Sequence, residues 1–246
     1  MPASTTVLGM VLSAMPVGDF DKRVVILTRE YGKISAFAKG ARRPNSALLA
    51  CSQPFSFGEF NLYMGRNSYS IISADITNYF AELRTDIESV YYGSYFCEFT
   101  DYFTKENNDE KEVLKLLYQT LRALTKKTIP NPLIRVIFEL KMITLEGVGP
   151  QVFYCVKCQG DFIKPRFSPI SGGMLCEGCS SSDKSASKLS TSCIYAMQYI
   201  ISKEIEKLYT FVVSAPVLKE LQSCMERYLK LHIEHRFKSL EFIKSL

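Results

Sequence analysis

Four cysteines are the residues best suited to chemistry. Cys155-Val-Lys-Cys158 and Cys176-Glu-Gly-Cys179 form two C-x2-C pairs separated by seventeen residues. Zn²⁺ takes four donors in a tetrahedron, and one tight C-x2-C turn presents two thiolates to the same ion. The stretch between the pairs is long enough for a small hairpin. Four thiolates leave no coordination position open, so the expected ion is a single structural Zn²⁺ held by Cys155, Cys158, Cys176 and Cys179. A redox dithiol belongs at a helix N-terminus beside a βαβ pattern, which the sequence lacks, and a cytoplasmic setting disfavours paired disulfides. Cys51, Cys97, Cys193 and Cys224 stand alone and read as buried thiols.

A second pattern is basic. Lys22 and Arg23, Arg29, Lys33, then Lys39-Gly40-Ala41-Arg42-Arg43, and Arg66 fall at expected turns and strand ends. The glycine lets the chain turn, and three cations within five positions can meet successive phosphates. Aromatic side chains such as Tyr31, Phe37 or Tyr69 would add base stacking, the combination that suits single strands. Residues 1–80 carry eight Lys/Arg against five Asp/Glu, 81–150 nine against eleven, and 151–246 thirteen against nine. Basic ends around an acidic middle fit an anionic partner that touches the ends. A mixed-charge surface would give the same counts.

Other chemistries find little support. No G-x4-G-K-[ST], no G-x-G-x-x-G after a strand and no G-x-S-x-G elbow is present. His232 and His235, the only histidines, lie three positions apart on one element and read as structural. Asp19 and Asp21 sit in a turn without an evident acid–base or metal partner. A Mg²⁺-dependent nuclease using them is one alternative; a zinc-ribbon/OB module acting on RNA or on the transcription or translation machinery is another.

The elements that must hold these residues change character along the chain. Segments 6–12, 24–28, 34–38, 55–64 and 69–76 read as five short strands separated by turn signals, which favours a small OB-like barrel over residues 1–80. From Asn78 the apolar period becomes helical. Helices are expected around 87–99, 113–124 and 130–145, then near 191–208 and 215–235, with a short C-terminal piece. The cysteine-bearing insertion spans about 151–182 of this second, α-helical domain, 81–246. The aromatic stripe from Tyr91 to Phe103 has core spacing. The chain of 246 residues is 47% hydrophobic and 22% charged with a formal charge of +5, close to ordinary globular usage. No apolar run approaches the roughly 18 residues of a membrane span. The first basic residue is Lys22, so a secretory flank is missing. A cytoplasmic protein without a membrane partner is expected.

The order of several short stretches resembles the RecO family of bacterial recombination mediators. They are Gly18-Asp19-Phe20-Asp21-Lys22, Leu27-Thr28-Arg29-Glu30-Tyr31-Gly32, Ala38-Lys39-Gly40-Ala41-Arg42-Arg43, Tyr63-Met64-Gly65-Arg66, the four cysteines, and Arg227-Tyr228-Leu229 through His232-Ile233-Glu234-His235 to Lys238-Ser239-Leu240. The resemblance implies an N-terminal OB-fold, a helical domain with a zinc insertion, and no bond-making catalysis. It implies binding of single- and double-stranded DNA, strand annealing, and cooperation with RecR to load RecA on strands coated by the single-strand-binding protein SSB. The DNA contacts it implies are Lys39, Arg42 and Arg43, with Lys22, Arg23 and Arg66 as additions. Asn45 stands where relatives often carry another basic residue. The acidic, apolar SSB tail would need a cation beside hydrophobes, for which Arg122, Lys126 and Arg135 are candidates. Localisation would be cytoplasmic, at the nucleoid during repair.

Overall fold

The computed structural model describes residues 4–65, 68–161 and 164–245. Five strands form a closed barrel in the order β1-β2-β3-β5-β4: β1 Ser4–Val17, β2 Asp21–Thr28, β3 Gly32–Ala38, β4 Phe57–Met64 and β5 Tyr69–Asn78. The five-stranded OB-like barrel expected over residues 1–80 is thus present. β1 is long enough to serve two neighbours: its first half pairs with β4 (Thr6↔Asn61) and its second with β2 (Val17↔Asp21). A register shift between Val11 and Ser13 marks the bulge at which the strand bends between them. A short parallel pairing of β3 with β5, Ala36↔Tyr69 and Phe37↔Ser70, closes the barrel.

Inward-facing Val7, Val11, Val24, Ile26, Ile34, Ala36, Phe60 and Leu62 fill the interior. Alternate residues point out, which is why period-two patterning was visible in β2 and β3. Gly58 reflects close packing of backbone on backbone, because a Cβ there would meet the Asp75 carbonyl oxygen at 2.1 Å. Phe55 does not begin β4. It adopts a left-handed φ of 73° in the approach to the strand, and its N–H bonds the Val11 carbonyl at the bulge.

The chain divides into two compact units, residues 1–125 with 237–246, and residues 126–236. In the first, the barrel is joined by α1 (Leu48–Cys51), α2 (Ile87–Phe103), α3 (Lys111–Lys126) and, in chain order last, α8 (Lys238–Lys244). The aromatic stripe is core: Tyr95, Phe96 and Phe99 are fully buried. Glu98 on α2 accepts the N–H groups of Lys238 and Ser239, both at 2.9 Å, which caps the N-terminus of α8.

The second unit holds α4 (Asn131–Leu145), α6 (Thr191–Ser202) and α7 (Ala215–His232), with the cysteine segment between α4 and α6. α6 stops at Ser202, not near 208. The buried Lys141 ammonium donates to the Ile201 and Lys203 carbonyls at 2.9 and 2.7 Å, so a cation satisfies the carbonyls at the helix end. Among the described residues no helix is long and apolar enough to cross a membrane.

Candidate metal centre and nucleic-acid interface

The seventeen residues between the cysteine pairs fold as the hairpin their length allows. β6 (Arg166–Ser168) pairs antiparallel with β7 (Gly173–Leu175), and β8 (Ser187–Lys188) adds a third strand on the other side of β6. The first knuckle is closed by backbone bonds from Gln159 N–H to the Cys155 carbonyl (2.8 Å) and from Cys155 N–H to the Gly160 carbonyl (3.0 Å). The second begins α5 (Glu177–Ser180), with Cys176 at its N-cap.

The ligand atoms of Cys155, Cys158, Cys176 and Cys179 all lie within 4.8 Å of one another, and the Cys158 and Cys176 sulfurs are 3.9 Å apart. A tetrahedral ion with sulfurs at about 2.3 Å requires sulfur–sulfur separations of about 3.8 Å, so the donor set fits a thiophilic divalent cation. The environment has begun to prepare it. Burial raises the Cys155 thiol, but the N–H groups of Cys158, Cys176 and Lys157 outweigh this and hold it down to about 6. Cys179 is pushed up to about 12, first by hydrogen bonding with Cys176. A divalent cation bound to the four sulfurs would take them all as thiolates. Cys51, Cys97, Cys193 and Cys224 are free and buried, as expected of isolated thiols.

Behind the knuckles, Asp183 ties the hairpin together. Its carboxylate accepts the Ser168, Ser171 and Ser185 hydroxyls at 2.5, 2.8 and 2.6 Å, and the Ser185 N–H at 2.9 Å. These donors, Ser168 foremost, hold the carboxyl well below the usual carboxylate range. A folded pKa below the unfolded value of about 3.9 gives stability that is complete above that value and is lost as pH falls toward the folded one. Asp183→Asn is therefore expected to destabilise the hairpin at neutral pH, with the gap from wild type narrowing below about pH 4. Denaturation followed across pH 2–7 checks this. On α7, His232 Nε2 lies 2.8 Å from the Pro169 carbonyl and its ring lies against Tyr228, the structural role expected of it.

The basic residues separate into two groups. Arg29 and Lys33, at the turn joining β2 to β3, are ion-paired with Glu30 (2.8 Å) and Asp101 (2.9 Å). At the other end of these strands the loop after β3 meets the turn between β1 and β2. Gly40 takes a left-handed φ of 67° and donates its N–H to the Asp21 carboxylate at 2.7 Å. Arg42 N–H bonds the Phe20 carbonyl at 2.8 Å, and its guanidinium reaches the Gly18 carbonyl at 3.1 Å. Ala41 is buried, which leaves Lys39, Arg42 and Arg43 exposed around it. Arg43 lies over the exposed Phe20 ring, 5.0 Å from its centroid.

Lys22 is beside this loop. Its ammonium donates to Ser52 Oγ at 3.0 Å; burial, and more weakly the nearby Arg42 charge, lower its pKa. Arg23 points outward and bonds Ser35 Oγ at 2.8 Å, in register with Met15 on β1 and Phe37 on β3. Arg66 lies outside the described residues.

Tyr31 and Tyr69 are half-buried and pack against the barrel core. Phe20 is an aromatic side chain exposed at this end, and sequence reasoning passed over it. The signal was a large aromatic residue in the polar turn Gly18-Asp19-Phe20-Asp21. Asp21, which accepts the Gly40 N–H, helps to orient the loop. Of the cations considered for an acidic peptide, Arg122 and Lys126 are exposed. Arg135 is buried among Glu139 (3.5 Å) and Glu226 (3.3 Å).

The family model for the N-terminal part of recombination protein O matches residues 1–80, and that for its C-terminal part matches residues 84–241. The chain belongs to the RecO family. Its similarity to curated RecO proteins runs end to end. It is 35% identical to the DNA repair protein RecO of Acetivibrio thermocellus over 97% of this chain and 95% of that one. It is 33% identical to the RecO of Alkaliphilus metalliredigens (97% and 98% covered) and 32% identical to that of Symbiobacterium thermophilum (97% and 96%). The closed barrel, the helical segments and the four-cysteine cluster are thus the parts of a RecO chain.

Proposed function

We propose that this RecO protein is a DNA repair and recombination mediator that binds single- and double-stranded DNA, anneals complementary strands and, with RecR, helps load RecA on SSB-coated single strands. The observation that carries the reading is the loop that exposes Lys39, Arg42 and Arg43 beside the turn carrying exposed Phe20, at one end of an OB-ordered barrel. Lys22, beside the loop, and Arg23, on the outer face of β2, are further proposed contacts, as is Arg66.

The activity needs no bond to be made or broken. Exposed guanidinium and ammonium groups displace counterions from phosphates, which supplies affinity without regard to sequence and weakens it with salt. Phe20 offers a π-face to an unstacked base, and Arg43 above it keeps a cation next to the adjoining phosphate. Neutralising two strands on one protein lowers their repulsion and raises their local concentration, which is the whole of what annealing requires.

The metal proposed for Cys155, Cys158, Cys176 and Cys179 is one Zn²⁺, since four thiolates at this spacing select a soft tetrahedral ion. When bound it supplies a crosslink between the two knuckles. For the acidic, apolar tail of SSB, Arg122 and Lys126 on α3 are the accessible cations. The setting is the cytoplasm, at the nucleoid during repair.

The test is annealing of complementary labelled strands, bare and coated with SSB, by the full-length protein, followed by RecA loading with and without RecR. Annealing without nucleotide, slowing as salt rises, is expected, and RecA loading on coated strands is expected to require RecR. A stronger preference for RNA than DNA oligomers, or cleavage of DNA with Mg²⁺, would overturn the reading.

A further inference from the structure

The cysteine-bearing unit has a like-charge contact that folding alone does not explain. In the three-stranded sheet Arg166 on β6 is the direct register partner of Lys188 on β8. Antiparallel partners project on the same face with Cβ atoms roughly 5 Å apart, and like charges there oppose folding. Both side chains are exposed. Lys188 also lines a groove of about 680 Å³ shared with Lys219 and Arg227 of α7 and the hydroxyls of Ser187, Ser190 and Ser223. Its one carboxylate, Glu220, is occupied by the Ser190 N–H and hydroxyl at 2.7 and 2.5 Å. Arg227 is held in place by Ser187 Oγ at 2.7 Å. Among the described residues none of Arg166, Lys188, Lys219 and Arg227 forms an ion pair.

We infer that Arg166, Lys188, Lys219 and Arg227 form a second phosphate-binding surface, which takes the sugar–phosphate backbone of a second nucleic-acid strand. The spread of charge favours a polyanion over a single acid group. Lys219 and Arg227 are eight positions apart on α7, about 12 Å along its axis, a distance over which one strand of a duplex advances by three to four phosphates at about 3.4 Å each. The groove presents no aromatic ring, so it would read backbone and not bases. One strand on the barrel and one on this surface would make each chain bivalent, which is how a single protein raises the mutual concentration of two strands.

The inference rests on the DNA-binding reading above, and stoichiometry separates the two. Short labelled oligothymidylate, which cannot self-pair, is titrated into full-length protein at low salt. Wild type is expected to take two strands per chain, and Lys188→Ala/Lys219→Ala one. Arg42→Ala/Arg43→Ala is also expected to keep one. Circular dichroism and metal content should not change, and Lys188→Arg/Lys219→Arg should restore two. One strand per wild-type chain, lost in Arg42→Ala/Arg43→Ala, overturns the second surface and leaves the DNA-binding reading standing. No strand bound by wild type sinks both. A Lys188→Ala/Lys219→Ala protein that loses binding of poly-glutamate but still takes two DNA strands assigns the groove to an acidic peptide and overturns the inference.

Discussion

Cys155→Ser/Cys158→Ser is expected to lose its metal completely and to unfold the segment from Gln151 to Lys188 while the barrel stays folded. The substitution removes two of four sulfurs, and the remaining Cys176 and Cys179 cannot close a tetrahedron. Structural zinc contributes an apparent 10–16 kcal/mol in small zinc-finger peptides. Part of that is offset here, because burial of Phe167, Met174 and Leu175 favours the folded hairpin, though by less than the ion contributes. Asp183 and its three serines act in the same direction. The net loss should therefore be several kcal/mol, confined to the unit that contains the cysteines. Metal analysis checks the first part: about one zinc per chain in wild type and none in the variant. Hydrogen exchange checks the second, with protection lost over residues 151–188 and kept in β1 to β5. Stoichiometric metal in the variant would show that other groups bind the ion. Unchanged protection after metal loss would show that side-chain packing alone suffices. Chelation of wild type should reproduce the variant's exchange pattern, and added Zn²⁺ should reverse it.

How much of this was legible in the sequence depended on how local each signal was. The cysteine spacing is a local signal, because a C-x2-C turn fixes two donors whatever surrounds it, and the four sulfurs do come together. β2 and β3 were legible because Val24, Ile26, Ile34 and Ala36 alternate with outward residues along most of their length. β1 was cut short at Leu12 because Met15 and Val17, in its second half, are exposed and carry no alternation. They are in the strand through pairing with Arg23 and Asp21, a non-local cause. The end of α6 was missed for a similar reason. Residues 203–208 keep helical-looking apolar spacing, and what stops the helix is Lys141, sixty positions away from Ile201 in the chain. The basic constellation was read as one group because turns recur in sequence. The structure divides it because Glu30 and Asp101 neutralise Arg29 and Lys33, and the Asp101 contact spans the barrel and α2.

Arg42→Ala/Arg43→Ala is expected to weaken single-strand binding without altering stability, and to flatten its salt dependence by roughly 1.4 in the log–log slope, about 0.7 per lost phosphate contact. The loop should survive, since two of its fixed points do not use the arginine side chains: the Arg42 N–H to the Phe20 carbonyl, and the Gly40 N–H to the Asp21 carboxylate. Both remain after truncation of the two arginines. Phe20→Ala is expected to act differently, costing about 1–3 kcal/mol of affinity if a base stacks on the ring, with the salt slope nearly unchanged. The two acids of the turn should have opposite effects. Asp19 is exposed, so Asp19→Asn removes a charge that repels phosphate and should tighten binding slightly. Asp21→Asn also removes a negative charge, yet it weakens the acceptor that fixes Gly40 and should loosen binding. A surface that worked by net charge alone would tighten in both. Binding isotherms for the four variants across a salt series distinguish these cases. If the double-arginine variant keeps affinity, slope and the wild-type number of strands per chain, phosphate is held elsewhere and the barrel-end assignment fails. If Asp21→Asn binds more tightly than wild type, the loop's geometry does not matter and its cations act as a diffuse charge.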